Sequence, residues 1–295
     1  MNTDILFELV EQYDIITIYR HVSPDADALG SQFGLKQWIQ ETYPDKQVYA
    51  LGRDAGSKQS LFPDMDIADD ETVAVSLAII LDTANGARVD DERWSTAAYT
   101  LKIDHHIIVE RFADVEVVED LFGATCEMLA YLFEQKKLVL SARCAQYLYG
   151  GIIADTLRFS IATIKPRTLR TAAYLLEMGV DVKKANEDNF STSYRLYCFE
   201  NYIRSNCQLM EGHVAYMIIN REDYERFGLT FNEAKEKVFV MGGVDEFEAW
   251  ALFTEKERDE NGRHVYNGSL RSKNRTINDI ANKYQGGGHR FACGV

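Results

Sequence analysis

Three potential metal ligands, His21, Asp25 and Asp27, lie close together near the start of the chain. Imidazole nitrogen and carboxylate oxygen together suit divalent cations. These residues follow a β-branched run over 15–19 and precede apolar residues at helical spacing over 29–39. The pattern therefore predicts a strand, a turn that carries ligands, and a helix. The alternative is a capped turn whose acids simply face water.

Acids and histidines also stand at the ends of other predicted elements, and these are Asp82, Asp104, His105, His106 and Asp155. The first follows an apolar strand predicted over 73–81, and the next three follow a strand predicted over 99–103. The last ends an apolar helix predicted over 142–154. Because ligands bind beyond the carboxyl ends of parallel strands, we expect these groups to converge with the first three.

Four carboxylates that converge repel one another unless a cation compensates their charge. The convergence therefore predicts bound metal. Two divalent ions about 3.5–4 Å apart could share Asp82 as a bridge, an arrangement that activates water and clamps a phosphoryl group. The mixture of imidazole and carboxylate favours Mn²⁺ over Mg²⁺ or Ca²⁺.

Each of these groups also has a simpler interpretation. Asp82 could cap a following helix, and Asp155 could be a surface residue at a helix end. A histidine at a strand end is more often structural than a ligand, and two adjacent histidines on a strand point to opposite faces. The metal hypothesis depends on all of them occurring together.

The end of the chain carries a pattern typical of anion binding. The glycine run 286–288 and His289 follow a helix predicted over 276–284. Backbone N–H groups of glycines can approach an anion, and the adjacent histidine can bind phosphate. Arg271 lies upstream and has a guanidinium group that can form paired hydrogen bonds. The alternative is a flexible C-terminal loop.

Strands that alternate with helices predict an α/β fold, with a parallel sheet and helices on both faces. The strands are predicted over 15–19, 47–51, 73–81, 99–103 and 115–118, and the helices over 29–39, 123–136, 142–154 and 166–178. A second, smaller α/β domain has predicted strands over 213–219, 248–254 and 264–270, and helices over 232–240 and 276–284. We place the first domain at 1–185, a linker at 186–210 with a polar-aromatic helix predicted over 190–210, and the second domain at 211–295.

The composition restricts the class of protein. The formal net charge of −14, from 32 basic and 46 acidic residues, argues against a long electrostatic track for duplex nucleic acid. The five cysteines include no CxxC pair, as expected for thiols in a reducing compartment. Because neither a signal peptide nor a membrane-spanning run is visible, we expect a cytoplasmic protein.

Five segments resemble the motifs of the DHH/DHHA1 phosphoesterases of the nanoRNase and pAp-phosphatase type, and they occur in the family's order. They are His21–Ser31, Asp82–Ala84, Asp104–His106, Gly151–Thr156 and Gly286–Gly294. The resemblance implies a metal-binding, catalytic DHH domain followed by a substrate-binding DHHA1 domain. Two features depart from the family pattern. Leu157 stands where the family often has glycine, and the chain ends at Val295, where members usually continue with a closing strand, so the second domain would be truncated.

The resemblance also implies roles for individual residues. One metal ion would be held by His21, Asp25 and Asp82, and the other by Asp27, Asp82, His105 and Asp155. His106 would face the substrate phosphate and Asp104 would orient its neighbours. The catalytic set would thus be Asp82, Asp104, His105 and His106. The nucleotide would be bound by His106 together with Arg271, Ser272, Gly287, Gly288 and His289.

By this resemblance, the expected activity is hydrolysis of short oligoribonucleotides such as pApA, of pAp, or of both, by water that two metal ions activate. A cyclic-dinucleotide (c-di-AMP) phosphodiesterase is the alternative. Three rivals are less favoured. An inorganic pyrophosphatase of the DHH type needs a Ser-Arg-Lys-Lys motif, a single-strand exonuclease needs a cationic track, and a non-catalytic nucleotide-binding module should have lost a ligand. Expected partners are therefore short RNA oligonucleotides, pAp or dinucleotides, without long duplex nucleic acid or membrane, and a homodimer is left open.

Overall fold

A computed structural model of the chain describes residues 4–53, 55–56, 60–108 and 110–295, and it divides into two compact units, Met1–Ser191 and Thr192–Val295. The strands of the first unit are β1 (Ile15–Tyr19), β2 (Gln47–Ala50), β3 (Leu77–Leu81), β4 (Tyr99–Asp104) and β5 (Val115–Val118). Its helices are α1 (Ile5–Gln12), α2 (Ala26–Thr42), α3 (Asp70–Ala74), α4 (Thr125–Gln135), α5 (Ala142–Asp155), α6 (Pro166–Glu177) and α7 (Val182–Phe190).

The second unit begins with a helix and continues as a mixed sheet. Its helices are α8 (Tyr194–Asn206), α9 (Arg221–Glu225), α10 (Phe231–Lys235) and α11 (Asn278–Lys283). Its strands are β6 (Gln208–Met210), β7 (Val214–Ile219), β8 (Ala249–Glu255), β9 (Tyr266–Ser272), β10 (Gly287–His289) and β11 (Ala292–Gly294). Among the residues that the structure describes, every helix is too short or too polar to cross a lipid bilayer.

The first sheet has the strand order β2-β1-β3-β4-β5, and every neighbouring pair is parallel. Its central strand, β3, is apolar and buried on both faces, as expected when helices cover the sheet. Ile16 and Ile79 belong to the large core with the helices of one face, whereas Tyr19 and Ile80 pack with Val73 of α3 on the other. The predicted α/β class, with a parallel sheet flanked by helices, is confirmed.

The sheet order explains why ligands from distant parts of the chain meet. Strands β1, β3 and β4 are direct neighbours, with Tyr19 opposite Ile80 and Leu81 opposite Ile103. Because the three strands are parallel, the residues that follow them lie along one edge of the sheet. The turn after β1, the turn after β3 and the end of β4 therefore form one continuous site.

Two glycines let helices approach this edge closely. A Cβ atom added at Gly30 of α2 would lie 2.6 Å from the backbone oxygen of Tyr147 in α5. A Cβ atom added at Gly151 of α5 would lie 2.3 Å from Cys126 Sγ and 3.0 Å from Asp27 Oδ1. Both positions therefore need glycine. The close packing of the two helices brings Asp27 of α2 beside α5.

The sheet of the second unit has the order β10-β11-β9-β8-β7-β6. Only β7 and β8 run parallel within this sheet, among the described residues, and the other pairs are antiparallel. Phe199 and Ile203 of α8 are fully buried and pack with Met217, Ile219 and Leu252 of the sheet. Helix α8 therefore belongs to the core of the second unit.

Three predicted elements differ from the structure. The strand predicted over 73–81 starts later, because Asp69 accepts a hydrogen bond from the Thr72 amide and caps a short helix, α3, in front of β3. The helix predicted over 190–210 is shorter, because the cap at Ser193 starts α8 and the chain turns into β6 after it. The helix predicted over 232–240 continues beyond α10 as a 3₁₀-helix over Glu236–Met241.

Candidate metal centre

Asp82 lies at the centre of the polar cluster at the sheet edge. It follows β3 directly, is almost fully buried, and has a positive φ of 52°. Its Oδ2 atom lies 3.5 Å from His21 Nε2, and its Oδ1 atom lies 3.4 Å from His105 Nε2. The hydroxyl of Thr125 donates to Oδ1 at 3.2 Å. The two oxygens of one carboxylate thus face two different imidazoles, as a bridging ligand requires.

The first imidazole group is built on the turn after β1. His21 Nδ1 lies 2.8 Å from the carbonyl oxygen of Val22. Because a carbonyl oxygen only accepts, Nδ1 carries a proton, and Nε2 is the nitrogen directed at the acids. Asp25 Oδ2 lies 3.8 Å from that nitrogen. A histidine held through a carbonyl on one side, with its other nitrogen among carboxylates, is typical of metal ligands.

Asp25 has two roles, because its oxygens point in different directions. Oδ1 accepts the amides of Asp27 and Ala28 at 3.0 Å each and caps helix α2. Oδ2 is the atom that faces His21. The capped turn is therefore present, and it leaves one carboxylate oxygen available for a cation.

The second imidazole group is built around His105 at the end of β4. Its Nε2 atom lies 3.2 Å from Asp155 Oδ2 and 3.8 Å from Asp27 Oδ2. Its Nδ1 atom faces the carbonyl oxygen of Phe122 at 3.4 Å. In the described part of the chain, Nε2 is buried and makes no hydrogen bond of proper geometry. A buried nitrogen that faces three carboxylates in this way fits a bound cation.

Asp27 is fully buried and is held by the first amides of helix α4. The amide of Thr125 donates to Oδ2 at 2.6 Å, and the amide of Cys126 donates to Oδ1 at 2.8 Å. The positive end of the helix dipole also favours a carboxylate at this place. The sequence pattern did not predict these two donors. The start of the predicted helix over 123–136 was the signal that could have indicated them.

The electrostatics of the cluster show a shortage of positive charge. Burial and the charges of Asp82 and Asp155 raise the pKa of Asp27 well above its usual value. Burial also raises the pKa of Asp155. Burial opposes the charge of His21, but its contacts with Asp25 and Asp82 outweigh this and raise its pKa to about 10. The cluster therefore holds protons where a divalent cation would supply the missing charge.

The structure thus brings all six predicted metal ligands, together with His106, into three groups. One group that could hold a metal ion is His21, Asp25 and Asp82, a second is Asp27, His105 and Asp155, and a third is Asp82, His105 and His106. Nitrogen and oxygen ligands of this kind are those that Mn²⁺ and similar divalent ions accept. The donor set therefore fits a bound divalent metal.

His106 and Asp104 lie beside this cluster. Asp104 is fully buried, and its Oδ1 atom lies 2.7 Å from His106 Nδ1. That nitrogen is also 3.6 Å from Asp82 Oδ1. Because Nδ1 is engaged with Asp104, the other ring nitrogen, Nε2, is directed away from the Asp104 carboxylate.

The predicted nucleotide-binding residues of the second unit lie on β9 and β10, and β11 separates these two strands in the sheet. Ala292 of β11 pairs with Arg271 of β9, and β11 also pairs with β10. Burial lowers the pKa of Arg271, whose Nη1 donates to the Leu270 carbonyl at 2.8 Å. Ser272 Oγ donates to the Arg275 carbonyl at 2.5 Å. Gly287 and Gly288 form β10 with His289, whose side chain lies outside the described part of the structure.

Comparisons with known proteins show what the chain is similar to. The family described as "DHH family, N-terminal domain" matches residues 15–152. The chain is 33% identical over 298 residues to the bifunctional oligoribonuclease and PAP phosphatase NrnA of Bacillus subtilis, covering 100% of this chain and 93% of that protein. It is 30% identical over 196 residues to the cyclic-di-AMP phosphodiesterase GdpP of Geobacillus thermodenitrificans, covering 60% of this chain and 30% of that protein.

A solved structure also resembles the chain. It is that of an exopolyphosphatase-related protein from Bacteroides fragilis, with a TM-score of 0.88 and 22% sequence identity. The similarity covers 99% of this chain and 89% of that one. At this identity the similarity establishes the fold.

Proposed function

Because the chain belongs to the DHH family, we propose that it is a metal-dependent phosphoester hydrolase that acts on short oligoribonucleotides and on pAp. The observation that carries the proposal is the position of Asp82, whose two oxygens lie 3.5 Å and 3.4 Å from two separate imidazole nitrogens. The full-length similarity to an oligoribonuclease and PAP phosphatase supports the choice of substrates.

We propose that the cluster holds two divalent ions, and Mn²⁺ is the ion that its mixed ligands favour. His21, Asp25 and Asp82 would hold one ion, and the other would be held by Asp27, Asp82, His105 and Asp155. When bound, such ions lower the pKa of water and offset the negative charge of a phosphoryl group. The helix amides and the Thr125 hydroxyl keep Asp27 and Asp82 in place for this purpose.

The remaining residues would position the substrate. His106, oriented by Asp104, would bind the phosphate through Nε2. In the second unit, we propose that the nucleotide is bound by Arg271, Ser272, Gly287, Gly288 and His289. A guanidinium group in a partly buried place is suited to a phosphate, because hydrogen bonds to charged groups strengthen as water is excluded.

The location of the protein is part of the same proposal. Among the described residues, no cysteine is joined to another by a disulfide bond. Free thiols persist in reducing compartments, and this supports the cytoplasmic location that we propose.

A substrate panel tests the proposal. Purified protein with Mn²⁺ should hydrolyse pAp and pApA, and a chelator should abolish both activities. Asp82→Ala should be inactive, whereas Asp45→Ala should behave as wild type, since Asp45 is an exposed acid in the turn before β2. Failure to hydrolyse either substrate, or equal activity with and without chelator, would contradict the proposal.

Hydrolysis of c-di-AMP is the second candidate, and the similarity to GdpP over 196 residues favours it specifically. The same panel therefore includes c-di-AMP and pyrophosphate. If kcat/KM for c-di-AMP exceeds the values for pAp and pApA, the cyclic dinucleotide is the principal substrate. Preferential hydrolysis of pyrophosphate would instead support the pyrophosphatase.

A further inference from the structure

Lys102 is a fully buried lysine in the middle of strand β4. Its Nζ atom lies 3.2 Å from Asp104 Oδ2, 3.2 Å from the carbonyl oxygen of Ala84, and 4.7 Å from the centre of the Phe112 ring. Burial of an ammonium group is strongly unfavourable unless it is paired. The two polar partners belong to the two segments that carry cluster residues, 82–84 and 104–106.

Asp104 divides its two oxygens between Lys102 and His106. Oδ2 faces the ammonium group of Lys102, and both side chains are fully buried. Oδ1 accepts from the backbone amide of His106 at 3.2 Å and lies 2.7 Å from its Nδ1. Because an ionised carboxylate only accepts, Nδ1 carries a proton and Nε2 is directed away from Asp104. The orientation of the His106 ring therefore depends on the orientation of the Asp104 carboxylate.

The charge on Asp104 is consistent with this geometry. Burial opposes its ionisation, but the contacts with His106 outweigh burial and hold the pKa of Asp104 below its usual value. Lys102 adds a positive charge on the other side of the same carboxylate. Oδ2 is buried and makes no hydrogen bond among the described residues, so without the ammonium group this oxygen would lose its ionic partner.

We propose that Lys102 is a positioning residue for hydrolysis, because its ammonium group fixes the Asp104 carboxylate that orients the His106 ring. It also ties the Asp82 turn to β4 through the Ala84 carbonyl. The inference rests on the proposed function, and it assigns a role to a residue that is neither a ligand nor a substrate contact.

Lys102→Met tests this role, because it removes the charge and keeps the length of the side chain. We expect kcat to fall about 10- to 100-fold, as is typical when a residue that orients a site residue is lost. KM for pApA and the metal content should stay close to wild type. A small activated diester, bis-p-nitrophenyl phosphate, should show the same loss in kcat. Lys36→Met is the matched control, because Lys36 pairs with Asp66 at 2.5 Å and contacts no cluster residue among its recorded partners.

A double-mutant cycle shows whether Lys102 acts through Asp104. In the Asp104→Asn background, Lys102→Met should cause little further loss in kcat. The double variant buries no unpaired charge. If Lys102→Met alone fails to fold, the comparison of the double variant with Asp104→Asn therefore still tests the proposal. Equal losses in both backgrounds, or wild-type kcat in folded Lys102→Met, would overturn the proposal.

The ¹⁵N NMR spectrum of histidine-labelled, metal-free protein provides a readout that needs no substrate. At a pH where the imidazole is neutral, His106 should be protonated at Nδ1 alone in the wild type and should exchange between tautomers in Lys102→Met. An unchanged single tautomer in the variant would contradict the role of Lys102. Because this readout is independent of turnover, failure of the substrate panel would refute the proposed function and leave this result standing.

Discussion

Removal of divalent metal should make the stability of the first unit fall as the pH rises above about 6.5. The pKa of His21 determines the pH range over which the stability falls. Burial lowers its pKa, but the contacts with Asp25 and Asp82 outweigh burial and raise it to about 10. In the unfolded chain the pKa of histidine is about 6.5. A histidine whose pKa is raised on folding stabilises the folded state fully at any pH below its pKa in the unfolded chain. This stabilisation is lost as the pH rises towards and through its pKa in the folded state.

The size of the effect follows from the pKa. Each pH unit between the two values costs about 1.4 kcal/mol of unfolding free energy for one group. Between pH 6.5 and 8.5, His21 alone should therefore remove roughly 3 kcal/mol. For a unit of this size, that corresponds to a fall in Tm of about 6–12 °C. The pKa of His105 is also raised, against burial and through Asp155 and Asp82, so it acts in the same direction.

Bound metal should reverse the trend, because a metal ion binds the neutral imidazole and displaces its proton. The assay is Tm by calorimetry at pH 6.5, 7.5 and 8.5, in chelator and in excess Mn²⁺ without oxygen. The gap between the two curves should widen with pH. His21→Gln should make the metal-free curve less steep, whereas His213→Asn, at an exposed position of the second unit, should leave its slope unchanged. A metal-free Tm that stays constant or rises over this range would refute the reasoning.

Three further changes have definite expected outcomes. Gly151→Ala should destabilise the protein by about 1–3 kcal/mol and weaken metal binding, because its Cβ would displace Cys126 and Asp27; unchanged Tm and metal affinity would contradict the packing described. Leu157 is 60% exposed with φ of 46°, so Leu157→Gly should raise stability in urea by up to about 1 kcal/mol; a decrease would show that the leucine makes stabilising contacts. Arg271→Ala should raise KM for pApA and leave hydrolysis of bis-p-nitrophenyl phosphate unchanged, and equal losses on both substrates would place Arg271 in the chemistry instead.

The parts of the site that could be predicted are those determined by short-range pattern and sheet geometry. Strand β1 has the predicted bounds, and β4 extends one residue beyond them, to Asp104. Parallel strands that are neighbours place their ends together, so His21, Asp82 and His105 could be expected to meet from the sequence alone. The departure at Leu157 was also visible, and the structure places this leucine in the left-handed region that glycine adopts without strain.

Other features depend on contacts between residues far apart in sequence. Asp27 is held by amides that follow it by nearly a hundred residues, and local pattern carries no information about such a pairing. Lys102 interrupts an apolar strand, which usually indicates a surface position. Its burial becomes reasonable only once the sheet places Ala84 beside Asp104. Helix α3 was missed because β-branched Val73 and Val75 favour the strand predicted over 73–81, whereas the side chain of Asp69 caps a helix in front of it.

The most direct test is the stoichiometry of Mn²⁺ binding to wild type and to Asp82→Ala, measured by equilibrium dialysis with metal analysis. Wild type should bind two ions per chain, and so should the control Asp45→Ala. Because one carboxylate faces both imidazole groups, Asp82→Ala should lose tight binding of both ions together while the far-ultraviolet circular dichroism stays unchanged. Two tightly bound ions in folded Asp82→Ala, or the loss of one ion only, would contradict a shared bridge at Asp82.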